Sequence, residues 1–182
     1  MAELNGKKVA FLLTDGFEDS ELTGPWEAVT DAGAEALLVS PGDGTVTGKN
    51  GHEQRVDTAV ATADAEDFDA LVLPGGVVNA DHLRMDQSAV AFAKAFFSAG
   101  KPVSVICHGA WILTEADVLR DRTITSYPSL RTDLRNAGAT WVDREVVVDD
   151  GLVSSRTPDD LPAFNAKTVE EIGEGVHAGQ HA

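Results

Sequence analysis

The chain has 182 residues, with 14 Lys and Arg against 30 Asp and Glu, a formal net charge of −16 at pH 7. That balance repels phosphate backbones and anionic headgroups, which argues against nonspecific nucleic-acid binding and against docking on an anionic membrane. With 43% hydrophobic and 24% charged residues, the composition is that of one ordinary folded domain with a sizeable core, and it excludes wholesale disorder.

Residues 7–14, KKVAFLLT, read as a buried strand, and GFEDSEL (16–22) follows as a loop. The pattern predicts a helix over 20–33, with Pro25 in its early part and Gly33 near its end. A second strand covers 34–41. Residues 45–57 contain Asn50-Gly51, a hairpin signal between short alternating runs. FDALVLPGG (68–76) is a third strand running into a double glycine, and 86–100 reads as a helix with Val90, Phe92, Ala93, Phe96 and Phe97 on its apolar positions. KPVSVICHG (101–109) is a fourth strand that enters a helix from about His108 to Leu119. A helix over 129–137 follows, between the short runs TITSYP and TWVD. Residues 144–156 read as a hairpin turning at Asp150-Gly151, and a last helix covers 158–172. The domain is placed at 1–173, with a loose tail at 174–182.

Alternating strands and helices with nearly continuous apolar strands define an α/β fold, a mostly parallel sheet covered on both faces. The two hairpins are expected to add antiparallel edges. No run approaches the roughly 20 apolar residues that span a bilayer. The apolar run near the N-terminus is too short for a secretory core, so the expected location is the cytoplasm.

In such sheets ligands bind at the carboxyl ends of the strands. Three segments fall there: Asp15 to Glu18, Gly75-Gly76, and Cys107-His108. Cys107 is the only cysteine, which excludes an intramolecular disulfide and a multi-cysteine zinc site. It ends a strand and abuts a helix start, the position of an elbow nucleophile, and a helix N-terminus favours the thiolate. The elbow pattern is half met: Gly109 is small, Val105 is not. The bland alternative is a buried, inert thiol. His108 is adjacent and could form a Cys–His pair if the elbow is sharp. Glu18 lies at the same end of the sheet. A protonated carboxyl there would donate a hydrogen bond to the thiolate, whereas an ionised one would raise the thiol pKa; with Asp15, Asp19 and Glu21 it could equally form a solvated acidic loop. Gly75-Gly76 would let backbone N–H groups approach a ligand as an oxyanion hole does, or simply make a tight turn. Asp81 could orient a histidine or cap a helix. His52, His82, His177 and His181 show no clustered ligand spacing, so no metal is expected. No glycine-rich nucleotide motif appears, so no cofactor is expected.

These segments together resemble the ThiJ/PfpI superfamily, most closely its branch of intracellular cysteine peptidases and general stress proteins. The resemblance covers about 5–172. It is carried by GFEDSEL (16–22), TVTGKNG (45–51), FDALVLPGG (68–76), KPVSVICHGAWIL (101–113), the stretch 125–156 and PDDLPAF (158–164). It implies a flavodoxin-like three-layer sandwich of the class I glutamine amidotransferase type. It implies that Cys107 is the nucleophile, that Glu18 hydrogen-bonds it, and that His108 is the triad histidine. Asp81 falls in the segment from which a neighbouring subunit supplies the triad acid. The oxyanion donors map onto Gly76, beside Gly75, and His108; Tyr127 lines the pocket. A homodimer is implied, sometimes built into a hexamer. The implied function is a cysteine-dependent stress-response enzyme attacking a carbonyl. Its substrate is a small aldehyde, in glyoxalase or deglycase chemistry, or a peptide. The alternative is a non-catalytic redox sensor or chaperone with an oxidisable Cys107.

Overall fold

The computed structural model describes residues 2–182. In chain order its elements are β1 (Lys8–Leu12), α1 (Asp19–Asp31), β2 (Glu35–Ser40), β3 (Thr45–Thr47), β4 (Glu53–Arg55), β5 (Thr58–Ala59), β6 (Ala70–Leu73), α2 (Val77–Leu83), α3 (Gln87–Ser98), β7 (Val103–Ile106), α4 (Ile112–Ala116), β8 (Thr123–Ile124), α5 (Arg131–Asn136), β9 (Thr140–Trp141), β10 (Val147–Asp149), β11 (Leu152–Ser155) and α6 (Leu161–Glu174). Seven strands form the central sheet in the order β10-β11-β7-β6-β1-β2-β5. All neighbours are parallel except the β10–β11 pair.

The alternation along β1 shows how the sequence builds three layers. Val9 and Phe11 point to one face, where they meet Leu22 and Val29 of α1 and Phe164, Val169 and Ile172 of α6. Ala10 and Leu12 point to the other, where they join Phe92, Ala93, Phe96 and Phe97 of α3 and Leu113 of α4. A strand with apolar residues on both faces must be covered on both. Each of these large side chains contributes about 1.5–3 kcal/mol by leaving water. Among the described residues no helix is long and apolar enough to cross a membrane.

Several expectations need correction. The β3–β4 hairpin does form, but as a separate two-stranded sheet, not as an edge of the main one. Only the second hairpin reaches the main sheet: β10 is its antiparallel edge, and β11 pairs parallel to β7. The helix expected over 108–119 is a short 3-10 turn (Cys107–Trp111) followed by the five residues of α4, ended by Asp117 in the left-handed region. So short an element supplies local N–H groups and little macrodipole. α2 was not expected at all; its seven residues start at Gly76.

The tail is also different from expectation. Beyond α6, the backbone N–H of His177 donates to the Gly100 carbonyl at 2.8 Å. Gln180 is buried, donates to the Lys101 carbonyl at 3.1 Å and accepts from the Arg122 guanidinium at 2.6 Å. Arg122 itself is buried over the Phe97 ring. A buried guanidinium must be paired, and the residues taken for a loose tail are what pairs it.

Candidate active site

β1, β6 and β7 are central, and their carboxyl ends converge. Cys107 follows β7 with φ +60, a left-handed conformation that a cysteine adopts only under constraint. The constraint is close packing. A Cβ on Gly109 would meet the Leu73 carbonyl oxygen and lie 2.8 Å from that of Pro74. A Cβ on Gly75 would lie 2.9 Å from the Cβ of Cys107 and meet Glu21. Gly76, at φ +93, passes so near the loop after β1 that a Cβ would lie 2.7 Å from the Glu18 nitrogen. The glycines thus let three chain segments meet around one sulfur.

The turn brings Cys107 and His108 together, as the sharp-elbow reading requires. Cys107 Sγ lies 3.3 Å from His108 Nδ1, and both residues are 8% exposed. His108 Nε2 lies 3.2 Å from Ser129 Oγ, and its ring stacks on Tyr127 at a centroid distance of 4.6 Å. Burial, then the Lys49 charge, hold the imidazole pKa below its usual value, so the ring is neutral at pH 7 and Nδ1 can accept a proton. The backbone N–H groups of His108 and Gly76 act on the sulfur in the direction that favours its thiolate. Those of Gly75-Gly76 are held in place by buried Asn79, whose amide donates to the Pro74 and Gly75 carbonyls at 3.2 and 3.0 Å.

The carboxyl beside the thiol is that of Glu21, not Glu18. Glu21 lies on the inner face of α1, fully buried, and its Oε1 accepts the Gly75 N–H at 2.9 Å. Its Oε2 is buried with no hydrogen-bond partner, in the corner that also holds Cys107. Burial, helped by the Glu18 charge, pushes its pKa up to about 8. The Cys107 thiol is pushed up to about 12, by burial first and then by the Glu21 charge. The second cause operates only when Glu21 is ionised. At pH 7 the carboxyl keeps its proton, and a neutral O–H beside sulfur donates to a thiolate instead of repelling it.

Glu18 precedes α1, and its carboxyl forms an ion pair with the half-exposed Lys49 instead of meeting the thiol. Asp15 and Asp19 do not form a free acidic loop either. Asp15 accepts the Thr47 N–H at 2.8 Å, and Asp19 accepts those of Asn50 and His52 at 2.8 and 2.7 Å. Burial alone would raise the Asp19 pKa, but those N–H groups outweigh it and hold it low. The two carboxylates fasten the β3–β4 hairpin over the site.

Asp81 is exposed on α2. Within this chain both ring nitrogens of His108 face Cys107 and Ser129, and Asp81 reaches neither. Tyr127 does border the site, 40% exposed, with its N–H donating to the Cys107 carbonyl at 3.2 Å. Sequence reasoning missed Glu21, Asn79 and Ser129. For Glu21 a signal existed: it shares the buried stripe of Leu22, Pro25 and Val29, the spacing of an inner helix face.

The chain as a whole matches known proteins in sequence and in fold. The family model described as DJ-1/PfpI matches residues 7–171, and the chain belongs to that family. It is 46% identical to a protein of Escherichia coli named protein/nucleic acid deglycase 2, over 92% of this chain and 98% of that one. It is 49% identical to general stress protein 18 of Bacillus subtilis, over 90% and 96%. Among solved structures, a two-domain protein of Anabaena variabilis with DJ-1/ThiJ/PfpI-like and ferritin-like domains superposes with a TM-score of 0.89 at 33% identity. That match covers 97% of this chain and 50% of the two-domain chain.

Proposed function

We propose that the chain is a cysteine-dependent enzyme of stress defence, acting on small reactive carbonyls in glyoxalase or deglycase chemistry. The observation that carries this reading is the Cys107 Sγ to His108 Nδ1 distance of 3.3 Å, with the backbone N–H groups of Gly76 and His108 directed at the same sulfur. Neutral His108 takes the thiol proton. The sulfur forms a bond to the carbonyl carbon, and the electron pair of the C=O moves to oxygen. The Gly76 and His108 N–H groups hold that oxyanion, and His108 returns the proton to it. The thiohemiacetal that results serves aldehyde isomerisation and the release of glycated amines alike. Protonated Glu21 assists by donating to the sulfur as its charge develops.

A histidine within reach of the thiol favours catalysis over sensing, for which a carboxyl alone suffices. A mostly buried sulfur favours a small aldehyde over a folded polypeptide. The deglycase names of relatives support the same class, and the net charge of −16 favours small-molecule or protein adducts over nucleic-acid ones.

A homodimer completes the reading. Val77 and Val78, 55% and 52% exposed, follow the oxyanion residue Gly76 directly and border the site with Tyr127. A second copy covering them would bring its own α2, and Asp81 with it, toward the His108 of its neighbour. The deciding assay is consumption of methylglyoxal by wild type and Cys107→Ser. Loss of activity in the variant is expected; an unchanged rate overturns the proposal.

A further inference from the structure

The geometry points to a second site, for a divalent metal ion of the zinc class, built from Glu171, Glu174 and His177 at the end of the sheet opposite Cys107. The expectation of no metal ligands rested on histidine spacing, which does not register two carboxylates one helical turn apart. Glu171 and Glu174 share a face of the last turns of α6. The chain then leaves the helix through Gly175, at φ +84, and returns the imidazole to that face. The ligand atoms of all three residues lie within 4.8 Å of one another.

Two of these atoms have no hydrogen-bond partner. Glu171, with a side chain 7% exposed, buries its Oε2, and His177 buries its Nε2. They are 3.2 Å apart, close enough to attract but not aligned as donor and acceptor. Two ligands bound at about 2.0–2.1 Å to one tetrahedral ion sit about 3.3 Å apart. Glu174 Oε2 lies 4.0 Å from the imidazole nitrogen, and its half-exposed side chain has room to move in. A buried carboxylate without a donor is costly, and a cation is what this pair of atoms lacks.

The imidazole is already placed. The His177 N–H is held by the Gly100 carbonyl, and a Cβ on Gly151 would lie 2.9 Å from the ring Cδ2. One imidazole with two carboxylates suits zinc better than magnesium or calcium, and three protein ligands leave a fourth position for water. Gly100 precedes β7 and Cys107 follows it. The four-residue strand puts about 13 Å between its two ends, so the ion would fasten the C-terminal segment and take no part in the thiol chemistry.

The test is calorimetric titration of metal-free protein with zinc chloride, in a Cys107→Ser background so that the thiol cannot bind zinc itself. One zinc per chain is expected, with a rise in Tm, and magnesium chloride should bind at least tenfold more weakly. His177→Gln and, separately, Glu174→Gln should weaken zinc binding at least tenfold, while His181→Gln should leave it unchanged. Glu174 is half exposed, so its variant keeps the fold and the comparison stays decisive. No zinc uptake, or equal uptake by the His177 and Glu174 variants, overturns the proposal. Neither outcome bears on the carbonyl chemistry at Cys107.

Discussion

Glu21 and Cys107 share one buried corner, where the Glu21 charge raises the thiol pKa while the thiol itself favours the ionised carboxyl. With the carboxyl at about 8 and the thiol at about 12 the pair is uncharged at pH 7, and the first proton to leave gives it one negative charge. Where that charge resides decides the chemistry. On sulfur it makes a nucleophile; on Glu21 it silences one.

Glu21→Ala should therefore slow alkylation of Cys107 by iodoacetamide at pH 7. A hydrogen bond to a charged group contributes about 1.5–3 kcal/mol, so losing the donor should raise the apparent thiol pKa by about 1–2. Glu18→Gln should shift the profile less, because Glu18 pairs with Lys49 and reaches the corner only through its charge on Glu21. Equal effects of the two substitutions would refute the assignment of roles.

The same pair sets a dependence of stability on pH. The Glu21 pKa is about 8 in the folded chain against an ordinary 4.5. Between these values the folded chain binds more protons than the unfolded one, so stability falls as pH rises from about 5 to 8. The loss is on the order of 5 kcal/mol at most. Glu21→Gln should flatten this slope, as read by urea denaturation at pH 5, 6.5 and 8; a slope unchanged by the substitution would contradict a buried, protonated Glu21.

Gly109→Ala places a methyl group against the Leu73 and Pro74 carbonyl oxygens. Backbone does not yield as a side-chain tip does, so the cost should be about 1–3 kcal/mol. For a chain of this length Tm should fall by about 2–4 °C per kcal/mol, with the alkylation rate disturbed as well. Gly42→Ala has nothing within 4 Å of the new Cβ and serves as the neutral control. Calorimetric scans of both variants would check the contrast.

Asp81 reaches no catalytic group of its own chain. Any effect of Asp81→Asn on kcat must then come through a second copy. A fall of about tenfold is expected at concentrations where sedimentation shows a dimer, with no fall in diluted monomer. An equal loss in the monomer would rule out action across an interface.

The parallel sheet was readable because its strands are apolar on both faces. The proposed nucleophile is legible because Cys107 ends such a strand before Gly109. The buried carboxyl is not legible there: a loop reading of GFEDSEL up to the helix start makes Glu18 look nearest the strand end. Helix geometry reverses this: α1 begins at Asp19, which turns Glu21 inward and leaves Glu18 at the helix start, paired with Lys49. The tail is hidden for a different reason: its composition is that of a loose segment, and what docks it are contacts to distant residues, among them the buried Arg122 guanidinium, 58 residues away from Gln180. Such a long-range polar contact leaves no local periodicity to read.

The active corner draws on residues near 21, 49, 75, 107 and 129, brought together by the middle strands of one sheet. No fragment of the chain holds the corner alone. Thiol reactivity should thus behave as an all-or-none reporter of the assembled sheet. Fraying at either end of the molecule will leave the alkylation rate as it was, and only separation of β6 from β7 will return Cys107 to the reactivity of an ordinary cysteine.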